Sequence, residues 1–269
     1  MFDRLSDTDF KRFRDMIYNE SGINFTDINR PVLESRLRER LKKGNHESLS
    51  DYYNLIVKDN SELKQLLDAV TTNLTSFFRN LIQFDALENG VIDEFKKTKR
   101  DKTIRVWSAG CSTGEEPYSI AMVLKEKLDD TWKIEIVASD ISFNVLMKAN
   151  EGFYQKAKVA GIPPNYLKKY MIELNDGYQI KDELKKLIRF DYHNLKNDSG
   201  IKNFDIVFCR NVIIYFDAKG QEEVINKFYN AMTDYSYLFI GHSESLFGMN
   251  TKFIFTKVGE ACLYMKKER

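Results

Sequence analysis

The chain has 269 residues, enough to bury a substantial core in one large domain or two small ones. Its 41 basic and 40 acidic residues nearly cancel, which argues against a protein that binds nucleic acid through bulk charge. No apolar run is long enough for a membrane span, and the first residues lack the apolar region of a signal peptide, so we expect a cytoplasmic protein. Three cysteines and three histidines are scattered, which predicts neither a disulfide framework nor a metal site.

Helical patterns fill the first third of the chain. Ser6 is a predicted N-cap for the first helix, and Pro31 suits the first turn of the second. In that second helix, leucines recur every fourth residue at Leu33, Leu37 and Leu41. Further helical patterns cover 48–58, 61–72 and 80–97. We therefore expect an all-α domain over residues 1–96.

Strands alternate with helices from Ile104 onward, which is typical of an α/β domain with a parallel sheet. We assign that domain to residues 97–269. The last two strand patterns lie close together around Gly259 and predict an antiparallel hairpin, as in class I methyltransferases. A second hairpin signal, Asp176-Gly177, indicates a small β insertion at about 161–187. The predicted strands are Ile104–Ser108, Ile134–Ser139, Ile188–Asp191, Asp205–Cys209, Tyr237–Gly241, Phe253–Thr256 and Ala261–Met265.

The stretch Ile104–Ser119 is the most informative part of the chain. An apolar strand leads into a turn of small residues and then into a helix, which is how doubly wound sheets cradle a nucleotide or an adenosyl cofactor. The turn is not GxGxxG, and Glu115 and Glu116 stand at the start of the helix. Two carboxylates would repel a pyrophosphate but suit the sulfonium and ammonium of S-adenosylmethionine. A purely structural turn is the alternative.

Two further strand ends carry candidate site residues. Asp140 closes the second strand, where an acid commonly binds ribose hydroxyls; it could instead cap the following helix. After the fourth strand, Cys209–Val212 stands where amine methyltransferases often have Asn-Pro-Pro-Tyr, which weakens a base-methylating interpretation. The Tyr215 phenol could point into the site or be buried in the core.

The segment Thr71–Arg79 combines hydroxyls, an amide and an arginine with two aromatic residues. Such a cluster is unusual for a solvated linker. Phe77 and Phe78 could equally be core residues, and Arg79 a surface charge.

Taken in order, these motifs resemble the CheR family, the chemotaxis-receptor glutamate methyltransferases. The resemblance covers the chain from about Phe10 to its end and rests on TNLTSFFR, RVWSAGCSTGEEPYS, ASDIS, HNL, FCRNVIIYFD and GHSES. It implies a class I SAM-dependent methyltransferase, with a Rossmann-like sheet, an N-terminal all-α domain and a small β insertion. It implies that Arg79 and Tyr215 face the substrate. It also implies a binding site for S-adenosylmethionine and its product S-adenosylhomocysteine, lined by Asn73, Thr75, Arg79, Glu115, Asp140, Asn194, Leu195, Arg210 and Asn211.

The implied chemistry needs few special groups. A glutamate carboxylate, with an ordinary pKa of about 4.3, is ionised at neutral pH, so neither a general base nor a metal is required. We expect Arg79 to hold one carboxylate oxygen and leave the other free to attack. The alternatives are a methyltransferase with another acceptor and a non-catalytic SAM-binding signalling adaptor.

Two surfaces are candidates for receptor docking. Arg36, Arg40 and Lys43 share one face of the second helix and could bind acidic receptor helices, or could simply be solvated. Some CheR members bind a receptor C-terminal pentapeptide on the inserted hairpin, whose loop is then longer and glycine-rich. Here the loop Asn175-Asp176-Gly177 is short, so we expect no pentapeptide tether.

Overall fold

The computed structural model describes residues 4–268 and divides the chain at Thr72. One compact unit contains the residues up to Thr72 together with Ile214–Gln221; the other contains Asn73–Ile213 and the residues from Glu222 on. The helical patterns of the sequence predict this boundary at residue 96. Residues 73–96 instead belong to the sheet-containing unit, because their apolar side chains join its core.

The first unit is helical, as the sequence predicts. Ser6 caps the first helix by accepting a hydrogen bond from the Asp9 amide, and Pro31 lies in the first turn of the second helix. Leucines of that helix are buried, as are aromatic side chains of the first and third helices. The helices are α1 (Asp7–Ser21), α2 (Arg30–Gly44), α3 (Leu49–Lys58) and α4 (Asn60–Val70).

The segment Ile214–Gln221 belongs to this helical unit although it lies far along the chain. The Asn24 amide donates to the Tyr215 carbonyl at 2.8 Å, and Ile23 forms a β-bridge with Phe216. The Tyr18 hydroxyl donates to the Asp217 carboxylate at 2.9 Å. The backbone of Tyr215 is therefore fixed by residues of α1 and of the turn that follows it.

Arg40 is not part of an exposed basic face, which corrects the expected docking set. It is 7% exposed, its guanidinium donates to the Glu62 carboxylate on α4, and the Tyr52 hydroxyl donates to the same carboxylate at 2.9 Å. Arg40 lies next to the buried leucines of α2 and is buried with them. Its guanidinium pairs with Glu62, which lies 22 residues further along the chain. Burial and the contact with the Glu62 carboxylate raise the pKa of Tyr52, and the Arg40 guanidinium opposes that shift.

The second unit contains two sheets. Within the described residues, the larger sheet has the strand order β6-β2-β1-β7-β8-β10-β9, parallel from β6 to β8 and antiparallel at β10 and β9. This confirms the predicted parallel sheet with an antiparallel C-terminal hairpin. Its strands are β1 (Thr103–Ala109), β2 (Lys133–Asp140), β6 (Ile188–Tyr192), β7 (Phe204–Cys209), β8 (Met232–Ile240), β9 (Ile254–Val258) and β10 (Ala261–Lys267).

The smaller sheet is the β insertion, with the order β3-β5-β4. It begins earlier than residue 161, because β3 (Phe153–Gln155) pairs with β5 (Gly177–Ile180). The hairpin partner of β5 is β4 (Met171–Leu174), and Leu174 lies opposite Gly177, so the turn contains only Asn175 and Asp176.

The helices of this unit connect the strands. The pattern over residues 80–97 forms one helical run, in which a π-helical segment, Leu87–Val91, lies between α5 and α6. No helix within residues 4–268 combines the length and the apolar composition needed to cross a bilayer. The helices are α5 (Leu81–Ala86), α6 (Ile92–Thr98), α7 (Glu115–Lys127), α8 (Phe143–Glu151), α9 (Pro164–Tyr170), α10 (Asp182–Lys185) and α11 (Ala218–Ala231), whose first turn belongs to the helical unit.

We predict that Arg40→Ala lowers the free energy of unfolding by about 3 kcal/mol, because it leaves the Glu62 carboxylate without its buried cation. Lys43→Ala, on the exposed surface of the same helix, is the control and should change it by less than about 0.5 kcal/mol. Urea unfolding of the full chain measures both. Equal effects of the two variants would contradict the assignment of Arg40 to the core.

Candidate cofactor site

The carboxyl ends of four parallel strands meet at one edge of the larger sheet. Ala109 of β1 pairs with Ser139 of β2, Ser108 pairs with Phe208 of β7, and Asp140 pairs with Tyr192 of β6. The chain order of the strands reverses between β1 and β7. In open α/β sheets, ligands bind in the crevice outside the carboxyl ends at such a reversal.

The turn after β1 is held tightly against its neighbours. The amides of Gly110 and Cys111 both donate to the Ser139 carbonyl, at 2.8 and 2.9 Å. Gly110 has a φ of 80°, and a Cβ there would lie 2.4 Å from Cγ2 of Val212. Glycine tolerates this positive φ and has no Cβ to clash with Val212. The turn can therefore pass close to the segment that follows β7.

Asp140 fixes this turn from the next strand. Its Oδ2 accepts a hydrogen bond from the Ser112 amide and its Oδ1 accepts one from the Ser142 amide, both at 2.9 Å. The N-cap of α8 is Ser142, whose hydroxyl accepts from the Val145 amide. The alternative in which Asp140 caps that helix is therefore wrong, and the carboxylate lies at the edge of the sheet beside the turn.

The residues after β6 lie against Asp140 as well. The His193 amide donates to the Asp140 carbonyl at 2.9 Å, which places Asn194 and Leu195 directly beyond the end of β2. Leu195 is buried, and the Asn194 side chain accepts from the Lys196 amide at 3.0 Å. Burial lowers the pKa of His193, and Lys227 lowers it further.

The two carboxylates at the start of α7 have different surroundings. Glu115 is 1% exposed and accepts from the Thr113 hydroxyl at 2.6 Å. Glu116 accepts from the Ser108 hydroxyl at 2.7 Å and from Arg210 Nη1 at 3.2 Å. Burial raises the pKa of Glu116, and Arg210 opposes that shift. Each carboxylate therefore has a cation of the chain beside it: Arg210 pairs with Glu116, and Lys158 Nζ lies 3.8 Å from Glu115 Oε1.

Arg210 links α7 to the motif around Arg79. Its guanidinium, 7% exposed as a residue, donates to Glu116 and to the Arg79 carbonyl and lies over the Phe84 ring. Arg79 in turn donates from Nη1 to the Leu74 carbonyl at 3.0 Å. The loop that carries Arg79 is thus tied to the first turn of α7 through a buried ion pair.

The motif Asn73–Arg79 crosses the turn after β1. The Ser112 hydroxyl donates to the Asn73 carbonyl at 3.2 Å, and Thr75 and Arg79 are half-buried. Phe77 and Phe78 are core residues, as one of the two interpretations of the sequence held. Phe78 adopts a φ of 50°, with its amide bound to the Ser119 hydroxyl at 3.0 Å.

Asn211 follows Arg210 in the left-handed conformation, with a φ of 60°, and its amide donates to the Glu244 carboxylate at 2.9 Å. Glu244 is a functional candidate that the sequence did not predict, and Glu116 was predicted to face the ligand and not to pair with Arg210. Their only sequence signals were the second glutamate of GEEPYS and the motif GHSES. The nine expected cofactor residues lie in the sheet-containing unit, and Tyr215 lies in the helical unit.

The second unit has a parallel sheet with a glycine turn after β1, an acid at the end of β2 and an antiparallel final hairpin. These features are typical of a SAM-binding methyltransferase domain, and in this chain an all-α domain precedes it. Known families agree with this class. The sequence family described as "CheR methyltransferase, SAM binding domain" matches residues 73–262, and "CheR methyltransferase, all-alpha domain" matches residues 8–71. The chain belongs to the CheR methyltransferase family.

Curated relatives that match nearly the whole chain are named as chemotaxis methyltransferases. A "Chemotaxis protein methyltransferase" of Borreliella burgdorferi is 40% identical over 252 residues, covering 89% of each chain. "Chemotaxis protein methyltransferase 2" of Vibrio cholerae is 35% identical and covers 98% of this chain and 95% of its own. The relative from Escherichia coli is 35% identical and covers 93% of this chain and 88% of its own.

We predict that Asp140→Ala weakens the binding of S-adenosylhomocysteine about tenfold or more, because it removes a ribose acceptor and releases the Ser112 amide. Isothermal titration calorimetry measures the affinity. Asp129→Ala is the control, since that carboxylate also accepts a backbone amide, from Thr131 at 2.9 Å, in the turn between α7 and β2. An affinity unchanged by Asp140→Ala would remove Asp140 from the site.

Proposed function

We propose that this protein transfers the methyl group of S-adenosylmethionine to glutamate side chains of chemotaxis receptors and forms glutamate methyl esters. The observation that supports this most strongly is the convergence of the loops after four strands on Asp140, in a chain that matches both CheR domains. We propose that the protein acts in the cytoplasm, on the cytoplasmic helices of the receptors.

The residues at the sheet edge fit this cofactor. S-adenosylmethionine supplies, when bound, a methyl group on a sulfonium, which needs no further activation. Asp140 offers a carboxylate to the ribose hydroxyls, and the buried Glu115 contributes negative charge suited to a cationic group. The wall of the site would be completed by Asn73, Thr75, Arg79, Asn194, Leu195, Arg210 and Asn211.

The acceptor carboxylate needs alignment more than activation. It is ionised at neutral pH and can attack directly, so no group of the protein has to remove a proton. Orientation can lower such a barrier by up to about 7–11 kcal/mol. We assign that orientation to Arg79 and Tyr215. The hydrogen bond from Arg79 Nη1 to the Leu74 carbonyl holds the guanidinium in one direction, which supports a contact to one carboxylate oxygen rather than a two-oxygen clamp. That no metal takes part stays a prediction.

The direct test is incubation of the protein with methyl-labelled S-adenosylmethionine and receptor-containing membranes. We expect label in the receptor that mild base releases as methanol, since carboxyl methyl esters are base-labile. Label that is stable to base would indicate another acceptor. Cofactor binding with no transfer to any receptor would support the signalling adaptor instead.

We predict that Arg79→Ala lowers kcat for receptor methylation on the order of 100-fold, and Tyr215→Phe about tenfold, because both position the acceptor. The affinity for S-adenosylhomocysteine should fall less than kcat in both variants. The matched controls are Arg105→Ala, on the surface of β1, and Tyr53→Phe, in the helical unit. Wild-type rates in both site variants would refute these two roles.

Receptor docking is proposed to use the exposed basic residues of α2. Arg36 is partly exposed beside Glu39, and Lys43 is exposed, whereas Arg40 is excluded by its burial. The two-residue turn between β4 and β5 supports the absence of a pentapeptide tether, because so short a loop offers little spare backbone to a peptide.

We predict that reversing Arg36 and Lys43 to Glu raises KM for receptor about five- to tenfold and flattens its salt dependence, because exposed charges steer association. The control is Lys58→Glu, exposed on α3. The same assay should give equal KM values for receptors with and without a C-terminal pentapeptide. A KM that depends on the pentapeptide, or is unaffected by the double reversal, would contradict the corresponding part of this proposal.

A further inference from the structure

The motif GHSES follows β8, and neither the cofactor residues nor the acceptor residues account for it. Strands β7 and β8 are parallel, and Cys209 pairs with Ile240 at their carboxyl ends. The segment that begins at Arg210 and the segment that begins at Gly241 therefore leave the sheet side by side. Glu244 is partly buried at this point.

The Glu244 carboxylate accepts three backbone hydrogen bonds. Oε2 accepts from the Asn211 amide at 2.9 Å and also from the Gly241 amide, and Oε1 accepts from the Val212 amide at 3.1 Å. Hydrogen bonds from backbone amides to a carboxylate are charge-assisted and stronger than those between neutral groups. The two carboxylate oxygens thus connect both segments.

This contact explains an unfavourable backbone conformation. Asn211 has a φ of 60°, a region that residues with a side chain seldom adopt. The successive amides of Asn211 and Val212 point the same way and form a concave anion site of the kind called a nest. Here the anion is Glu244 of the same chain, and its charge stabilises the turn after β7.

Gly241 makes room for the arrangement. A Cβ at this residue would lie 2.6 Å from Glu244 Oε2, 2.9 Å from the Asn211 nitrogen and 3.0 Å from Asn211 Nδ2. These distances are too short for a side chain. The absence of a side chain at Gly241 therefore leaves the space in which the Glu244 carboxylate accepts its three backbone hydrogen bonds.

We infer that Glu244 is a positioning residue for methyl transfer: it holds Asn211 and Val212 in the one conformation that presents this strand end to the cofactor. The inference rests on the proposed function, because it assumes that Asn211 contributes to the cofactor site. Glutamine cannot replace Glu244, since a primary amide has one acceptor oxygen and would turn an NH₂ group toward a backbone N–H.

The test is titration of S-adenosylhomocysteine into the purified full-length protein by calorimetry. Glu244→Gln should weaken binding about tenfold or more, whereas the control Glu222→Gln should leave it unchanged. Glu222 is a matched control because its carboxylate accepts one backbone amide, from Asn250 at 2.8 Å, on α11. Amide hydrogen exchange at Asn211 and Val212 should be faster than in the wild-type protein in Glu244→Gln and unchanged in Glu222→Gln.

A second variant distinguishes positioning from a general loss of stability. Gly241→Ala keeps the Glu244 charge but pushes its carboxylate away from the same amides, so it should weaken cofactor binding as well. The double variant should bind no more weakly than the weaker single variant, because both changes break one contact. Additive effects, or wild-type affinity in Glu244→Gln, would overturn the inference. Failure of the wild-type protein to bind would instead overturn the proposed function.

Discussion

The site depends on carboxylates that hold backbone amides at the carboxyl edge of the sheet. Asp140 accepts amides from the turn after β1 and from the start of α8, and Glu244 accepts amides from the turn after β7. These turns contain residues with positive φ, among them Ser112 and Asn211, whose amides donate to the two carboxylates and so offset the cost of that conformation. Fixed loops at this edge are what a cofactor site requires, because binding then costs little reorganisation.

A buried ion pair extends the same arrangement to the loop that carries Arg79. Glu116 and Arg210 are largely withdrawn from water, and such a pair is costly unless its remaining donors and acceptors are satisfied. Ser108 and the Arg79 carbonyl supply two of those partners. The main effect of this ion pair is therefore to fix positions and not to stabilise the fold. It holds the loop that carries Arg79 against the helix that begins at Glu115.

The sequence predicts the regular elements better than the contacts between them. Apolar strands and capped helices have local sequence signals, because their residue patterns depend on near neighbours in the chain. The bounds of α1 and of the seven strands of the larger sheet were therefore predicted within a few residues, except that β8 begins earlier than predicted. The three-residue β3 has no local signal because it exists only through its pairing with β5. The partners of Arg210 and Asn211, Glu116 and Glu244, lie 94 and 33 residues away, so neither pairing could be predicted from spacing. The burial of Arg40 was missed for the same reason.

Hydrogen exchange of the full-length protein with and without S-adenosylhomocysteine tests the central claim most directly. If the cofactor lies at the carboxyl edge, it should slow exchange in the loops after β1, β2, β6 and β7, that is, around Ser112, Asp140, Asn194 and Asn211. Exchange in the hairpin between β4 and β5, around Asp176, should not change. Protection confined to that hairpin or to the helices before Thr72, with none at the four strand ends, would contradict the account.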